Sequence, residues 1–175
     1  LSQAVFDAGT ILAMEKAAAA QDTVAHAHLK IDTGMSRIGV RGGQALEELL
    51  DVWAGARHVK MEGIFTHFAD ADGDAEFTAL QNERFHRAVQ QVRERGYRPL
   101  THAAASTGIL AGPEYWHDMV RPGIALYGAE ICDRLDGLSP AQTLSTRPVR
   151  VEWIDRGDTV GYGRAFRAEQ PTRVM

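Results

Sequence analysis

Short apolar runs alternate with longer amphipathic stretches through most of this chain, and that alternation restricts its fold more than any other feature. Ala25 to Ile31, Val59 to Phe65 and Leu100 to Ala105 have strand length and are bounded by Gly, Pro or polar residues. Between them, Gln44 to Trp53 repeats Leu46, Leu49, Leu50 and Trp53 at helical spacing. Phe77 to Arg95 places Phe77, Leu80, Phe85, Ala88 and Val92 on one side, and Gly96 stops it. Strand, helix and strand in succession predict βα units around a parallel sheet, in a barrel or a doubly wound fold. The polar residues favour the (β/α)8 TIM-type barrel. Lys30 and Asp32, Thr66 and His67, Ser106, and Arg121 each fall where a strand ends, and a barrel gathers its site from such ends.

After Pro140 the pattern changes. Val149, Val151 and Trp153 alternate with Arg150 and Glu152, which reads as a strand with one solvated face. Asp155-Arg156-Gly157-Asp158 reads as a turn, and Thr159 to Phe166 as a second strand broken by Gly161 and Gly163. The expected organisation is therefore part of a barrel domain over residues 1–142 and the start of an all-β domain over 143–175. The second stretch is too short for a core of its own.

Composition narrows the function classes. A formal net charge of −4 with scattered Lys and Arg gives no basic footprint for nucleic acid. No apolar stretch approaches bilayer length, and no charged-then-apolar leader opens the sequence. The single Cys132 excludes an internal disulfide and fits a reducing compartment, so a cytoplasmic location is expected.

Five segments carry residues suited to chemistry. Arg121-Pro122-Gly123-Ile124 puts a permanent cation beside a backbone with little side-chain cover, the composition of an anion site; the plainer reading is a strand leaving through a Pro-Gly turn. Lys30 and Asp32 share a strand face, and a buried lysine there needs a charged partner or a modification; Arg37 is near enough in sequence to join it, and a structural ion pair is the competing reading. His67 follows an apolar strand, where an imidazole can bond or stack on a ligand ring, and Ser106 can cap a helix or donate to a phosphate. Tyr162, between Gly161 and Gly163, is a candidate acid or base, or simply a packed aromatic beside a bulge. A metal site built from His26, His28, His67 and His102 with a modified Lys30 is a weaker alternative, since His26 and His28 precede the strand's C-terminal end.

Five blocks, in order, carry a family resemblance: His28 to Arg37, Glu62 to Ala69, His102 to Ser106, Val120 to Gly128 and Gly157 to Phe166. Together they resemble the alanine racemase family, pyridoxal-phosphate enzymes of the fold-type III barrel with a C-terminal β-domain. The resemblance implies an isomerase that interconverts L- and D-alanine by two-base proton transfer, supplying D-alanine for bacterial peptidoglycan. It implies that Arg121 bonds the pyridine nitrogen of pyridoxal 5'-phosphate, and that Ser106 and the amides of Gly123 and Ile124 hold its phosphate. His67 would join the network reaching Tyr162. Tyr162 would be one of two opposed bases, contributed across a homodimer interface. Arg37 would bind the substrate carboxylate, positioned by a carbamylated Lys30.

Two departures qualify the match. Ala105 stands where the family usually has Asn, and nothing resembles the family's Schiff-base lysine segment around Lys16 or Lys60. The chain therefore reads as an internal portion of such an enzyme that does not racemise alone. A serine or broad-specificity racemase and a noncatalytic module binding pyridoxal phosphate are the alternatives.

Overall fold

The computed structural model describes residues 1–128, 139 and 143–175. Cys132, Pro140 and residue 142, the expected end of the first domain, lie outside the described residues. The chain divides into two compact units, Leu1–Ala141 and Gln142–Met175.

The first unit is built on five parallel strands in sequential order: β1 (Ser2–Val5), β2 (Ala25–Lys30), β3 (Val59–Phe65), β4 (Leu100–Ala105) and β5 (Met119–Arg121). The order never reverses, so the sheet has no switch point of the doubly wound kind. Helices α1 (Ala8–Ala20), α2 (Gln44–Gly55) and α3 (Ala75–Glu94) connect the first four strands, and the short α4 (Ser106–Ala111) follows β4.

Helices α1 and α3 begin where side chains supply missing backbone partners. Asp7 accepts from the Thr10 amide at the start of α1, and Asp74 accepts from the Phe77 amide at the start of α3. Gly96 ends the α3 region at φ +89°, a left-handed turn that suits glycine. Most of the apolar positions read from the sequence meet in one core, while Leu80 of the expected α3 face is exposed. Leu46, Leu50 and Trp53 of α2 and Phe85 and Val92 of α3 are fully buried with Leu29 and Ile64 of the sheet. Trp53 satisfies its indole by donating to the Val59 carbonyl at 3.1 Å. Elements β1 and α1 add to the expected set; the only sign of them in the sequence is the weakly amphipathic, alanine-rich stretch of α1.

Two details of the strands position side chains. Pairing of β2 with β3 shifts between Ala27↔Met61 and His28↔Gly63, so Glu62 is an extra residue in β3. Beyond Lys30, Ile31 forms an isolated bridge to Val40, which closes the β2–α2 connection back onto the strand.

In the second unit, β6 (Glu152–Ile154) pairs antiparallel with β9 (Thr172–Val174), and β7 (Thr159–Val160) with β8 (Phe166–Arg167). The strand expected over Thr159 to Phe166, broken by Gly161 and Gly163, is thus two short strands folded on each other. Gly161 at φ +76°, Gly163 at φ +70° and Arg164 at φ +54° leave the extended region, and Tyr162–Arg164 forms a 3₁₀ turn between the strands. The Asp155 to Asp158 turn is present, with the Asp158 carboxylate accepting from the Asp155 amide at 2.9 Å. Among the described residues no helix is long and apolar enough to cross a membrane.

Candidate active site

Parallel strands end together, and five of the expected residues meet at the C-terminal edge of this sheet. Lys30 closes β2, Thr66 and His67 follow β3, Ser106 follows β4, and Arg121 closes β5. Arg121 is the hub. Its Nη2 donates to the carbonyls of Thr66 at 2.9 Å and Ala103 at 3.0 Å, and lies 3.3 Å from Nδ1 of His67. Its Nη1 donates to Nδ1 of His102 at 2.7 Å. Burial lowers the Arg121 guanidinium to about 10, which still leaves it cationic at neutral pH.

That cation sets the charge of its neighbours. Burial, then Arg121, pushes His102 down to about 3, with smaller contributions from His28, Lys30 and His117. His67 is lowered by burial first and then by the charges of Arg121, Lys30 and Arg37. Both rings are thus held neutral, as acceptors beside a fixed cation. His102 also stacks on Phe65, with centroids 4.9 Å apart and planes within 1° of parallel.

Lys30 is 3% exposed. Its Nζ donates to the Ile31 carbonyl at 3.2 Å and lies 5.1 Å from the Phe65 ring centre. Among the described residues it is not paired with an anion. Asp32 spends its carboxylate on the loop, accepting from the amides of Gly34 at 3.1 Å and Ser36 at 2.9 Å, with Arg41 at 3.8 Å. The ion-pair reading of Lys30 is therefore corrected: its neighbours in charge are mainly cations. Burial, then Arg121, lower its pKa to about 8; Arg37 adds to this and Asp32 opposes it. Asp32 is pushed up by burial, but the two amides and Arg41 outweigh this and its pKa falls. Arg37 is exposed on the β2–α2 connection, with no hydrogen-bond partner among the described residues.

Ser106 does not cap α4. It is the first helical residue, and its buried Oγ accepts from the amides of Gly123 at 3.1 Å and Ala125 at 3.2 Å, tying the β4 end to the turn after β5. Both lone pairs are then used, which leaves the hydroxyl hydrogen free to donate outward. Ile124 stands exposed at the start of that turn. Tyr162 is fully exposed in the second unit, on its 3₁₀ turn.

Three residues that matter here were not singled out for this edge. Phe65, His28 and Glu62 enter through pairing of distant strands; in the sequence His28 opens the first family block and figures in the metal alternative, and Glu62 and Phe65 lie in the β3 block. Among the described residues no group of three His, Cys, Asp or Glu side chains has an arrangement that holds a metal ion. A cavity of about 720 Å³ lies beside Asp32, Gly43, Phe77 and Arg84, away from Arg121 and Ser106. Its walls are Ile31 with the loop after it and the face of α3, and Lys30, His67, Ser106 and Arg121 do not line it.

Comparison with known proteins agrees with this geometry. The family model described as alanine racemase, N-terminal domain, matches residues 1–131. A curated alanine racemase from Geobacter sp. (strain M21) is 41% identical over 154 residues, covering 83% of this chain and 40% of that protein. The alanine racemase structure from Streptomyces coelicolor A3(2) superposes with a TM-score of 0.84 at 31% identity, covering 99% of this chain and 48% of that one. One from Bartonella henselae with covalently bound pyridoxal phosphate shares the fold at 24% identity, with a TM-score of 0.71 over 99% of this chain and 47% of its own. This chain spans less than half the length of these relatives, and it belongs to the alanine racemase family.

Proposed function

We propose that this chain supplies the cofactor-binding edge of a pyridoxal-phosphate-dependent alanine racemase, its five strands forming part of a (β/α)8 barrel and residues 143–175 the start of a β-domain. The observation that carries the reading is Arg121: four acceptors hold its guanidinium at the strand-end edge, beside a serine with one outward donor.

These residues fit the cofactor. A ring nitrogen needs a donor, and Arg121 keeps Nε–H and one Nη1–H uncommitted among the described residues. A phosphate needs donors and positive surroundings, which Ser106 Oγ–H, the turn at Gly123 and Ile124, and the charges of Arg121 and Lys30 supply. The Gly123 amide is engaged by Ser106, so holding phosphate there shares that amide. Ala105 offers no side-chain amide of the usual Asn. Bound pyridoxal phosphate supplies the electron withdrawal that acidifies the α-hydrogen of an amino acid.

The protein residues then set the outcome. Arg121, which does not release its proton near neutral pH, hydrogen-bonds the ring nitrogen without protonating it; this weakens electron withdrawal and favours returning a proton to the α-carbon. His67, held neutral, orients Arg121 and would link toward the partner subunit's Tyr162. Tyr162, reaching the site of a partner subunit in a homodimer, takes the proton from the L-amino acid. Arg37 binds the substrate carboxylate. Lys30, an amine with a pKa near 8, is a suitable nucleophile for carbon dioxide, and its carbamate would give Arg37 an anion. Lys16 lies exposed on α1 and Lys60 exposed at the start of β3, so we assign neither as the lysine that links to the cofactor. The physiological role is D-alanine supply for peptidoglycan in the cytoplasm. A serine or broad-specificity racemase shares every residue assigned here, and a noncatalytic binding module is the other class.

The test is binding of pyridoxal phosphate by fluorescence titration, with and without Arg121→Ala, beside D-alanine production by the full parent protein. We expect saturable binding, weakened roughly tenfold or more by the substitution, because a charge-assisted hydrogen bond is lost. Equal binding by both forms would sink the assignment of Arg121. Racemisation by the 175-residue chain alone would overturn the assignment of the lysines.

A further inference from the structure

Arginine can only donate hydrogen bonds, and this orients the protons in the row of rings behind Arg121. Its Nη1 lies 2.7 Å from Nδ1 of His102, so that nitrogen accepts and the neutral ring carries its proton on Nε2. Nε2 of His102 lies 2.8 Å from Nδ1 of His28, which accepts in turn and leaves the His28 proton on its own Nε2. That nitrogen faces a Glu62 carboxylate oxygen 3.5 Å away, a group that only accepts when ionised. The Ser2 hydroxyl is the first cause keeping Glu62 below the usual glutamate range, with His26 and His28 adding to it. Direction therefore agrees at every joint, from guanidinium to His102, to His28, to carboxylate. The opposite tautomer of either ring would set hydrogen against hydrogen.

The fold builds this row from separate strands. The bulge in β3 inserts Glu62 opposite His28, and Gly63 leaves room for the His28 ring, which a Cβ at that position would strike. Phe65 stacks on His102 and fixes its plane. We propose that His102 and His28 are positioning residues for Arg121, each locked as the Nε2–H tautomer, with Glu62 as the terminal acceptor. The row commits one Nη1–H to the interior and so decides which donors Arg121 presents to a ligand. Only the affinity arm of its test rests on Arg121 meeting the cofactor.

The experiment uses the full chain with ¹⁵N-labelled histidine at neutral pH, without cofactor. Both rings are expected to show protonated Nε2 and bare Nδ1; a protonated Nδ1 on His102 overturns the proposal. In His28→Phe, the Arg121 side-chain N–H signals should exchange faster with solvent, and pyridoxal phosphate should bind roughly tenfold more weakly, as for one lost hydrogen bond. His28→Asn, whose amide oxygen can accept from His102, should recover most of both losses, which a merely space-filling role would not. Unchanged Arg121 signals in His28→Phe would overturn the row. If that variant does not fold, the tautomers of the unsubstituted chain decide. The expected tautomers without any cofactor binding would support the row and overturn the cofactor reading instead.

Discussion

At the scale of single residues, Lys30 shows how far side-chain identity carries and where it stops. Its place at a strand end was legible, and so was its need for a partner or modification. That Asp32 is already bonded to its own loop was not, because the amides of Gly34 and Ser36 reach it only through the turn that follows. The lowered pKa has a definite sign in stability. Between about 8 and the ordinary lysine value of 10.5 the unfolded chain holds more of this proton than the folded one, so stability rises with pH through that window. Below it, the full cost of a buried charge is present. Lys30→Met is therefore expected to stabilise the chain at neutral pH in carbonate-free buffer, by about 1–3 kcal/mol, with the difference shrinking toward pH 10.5. Denaturant midpoints measured across that range check this. Bicarbonate should reverse the sign if Lys30 becomes a carbamate paired with Arg37, and a ¹³C-bicarbonate signal on the protein would report the adduct.

Elements were read best where one period dominates. The α2 face follows from apolar spacing, and its buried members are those the spacing names; on α3 only Phe85, Ala88 and Val92 of the named positions are buried, Leu80 is exposed, and Thr78, Gln81, Asn82 and Val89 share the buried face. Ends depend on single caps. Asp74→Ala removes the acceptor for the Phe77 amide and should cost about 1 kcal/mol, read as a lower melting temperature with little change in helix content. The β3 bulge was hidden, since an extra residue is defined only against the paired strand. Gly63→Ala should cost about 1–3 kcal/mol, because the new methyl meets a ring held in place by His102. Its histidine ¹⁵N signals should move as well; a neutral substitution with unmoved signals would count against the packing described. The Thr159 to Phe166 segment, expected as a strand broken by Gly161 and Gly163, folds back there as a hairpin with Tyr162 at its tip, because Gly161, Gly163 and Arg164 depart to positive φ.

For the whole molecule, strands β1 and β5 each pair on one side only among the described residues, leaving two open edges on an otherwise buried parallel sheet. Leu100, Met119, Val120, Ile124 and Leu126 are exposed around the β4 and β5 end of it. The isolated chain is expected to self-associate, with a sedimentation profile that shifts to larger species as concentration rises; a monomer with a cooperative melt would contradict this. Sequence by itself determined the parallel α/β class, the α2 face and the family, because periodicity and five local blocks are properties of neighbouring residues. Tertiary structure alone decided that Arg121 is the hub, that Ser106 bonds a turn instead of capping a helix, and that His28 and Glu62 belong behind the site. Those facts arise from register between strands tens of residues apart, where a one-residue bulge changes which side chains meet.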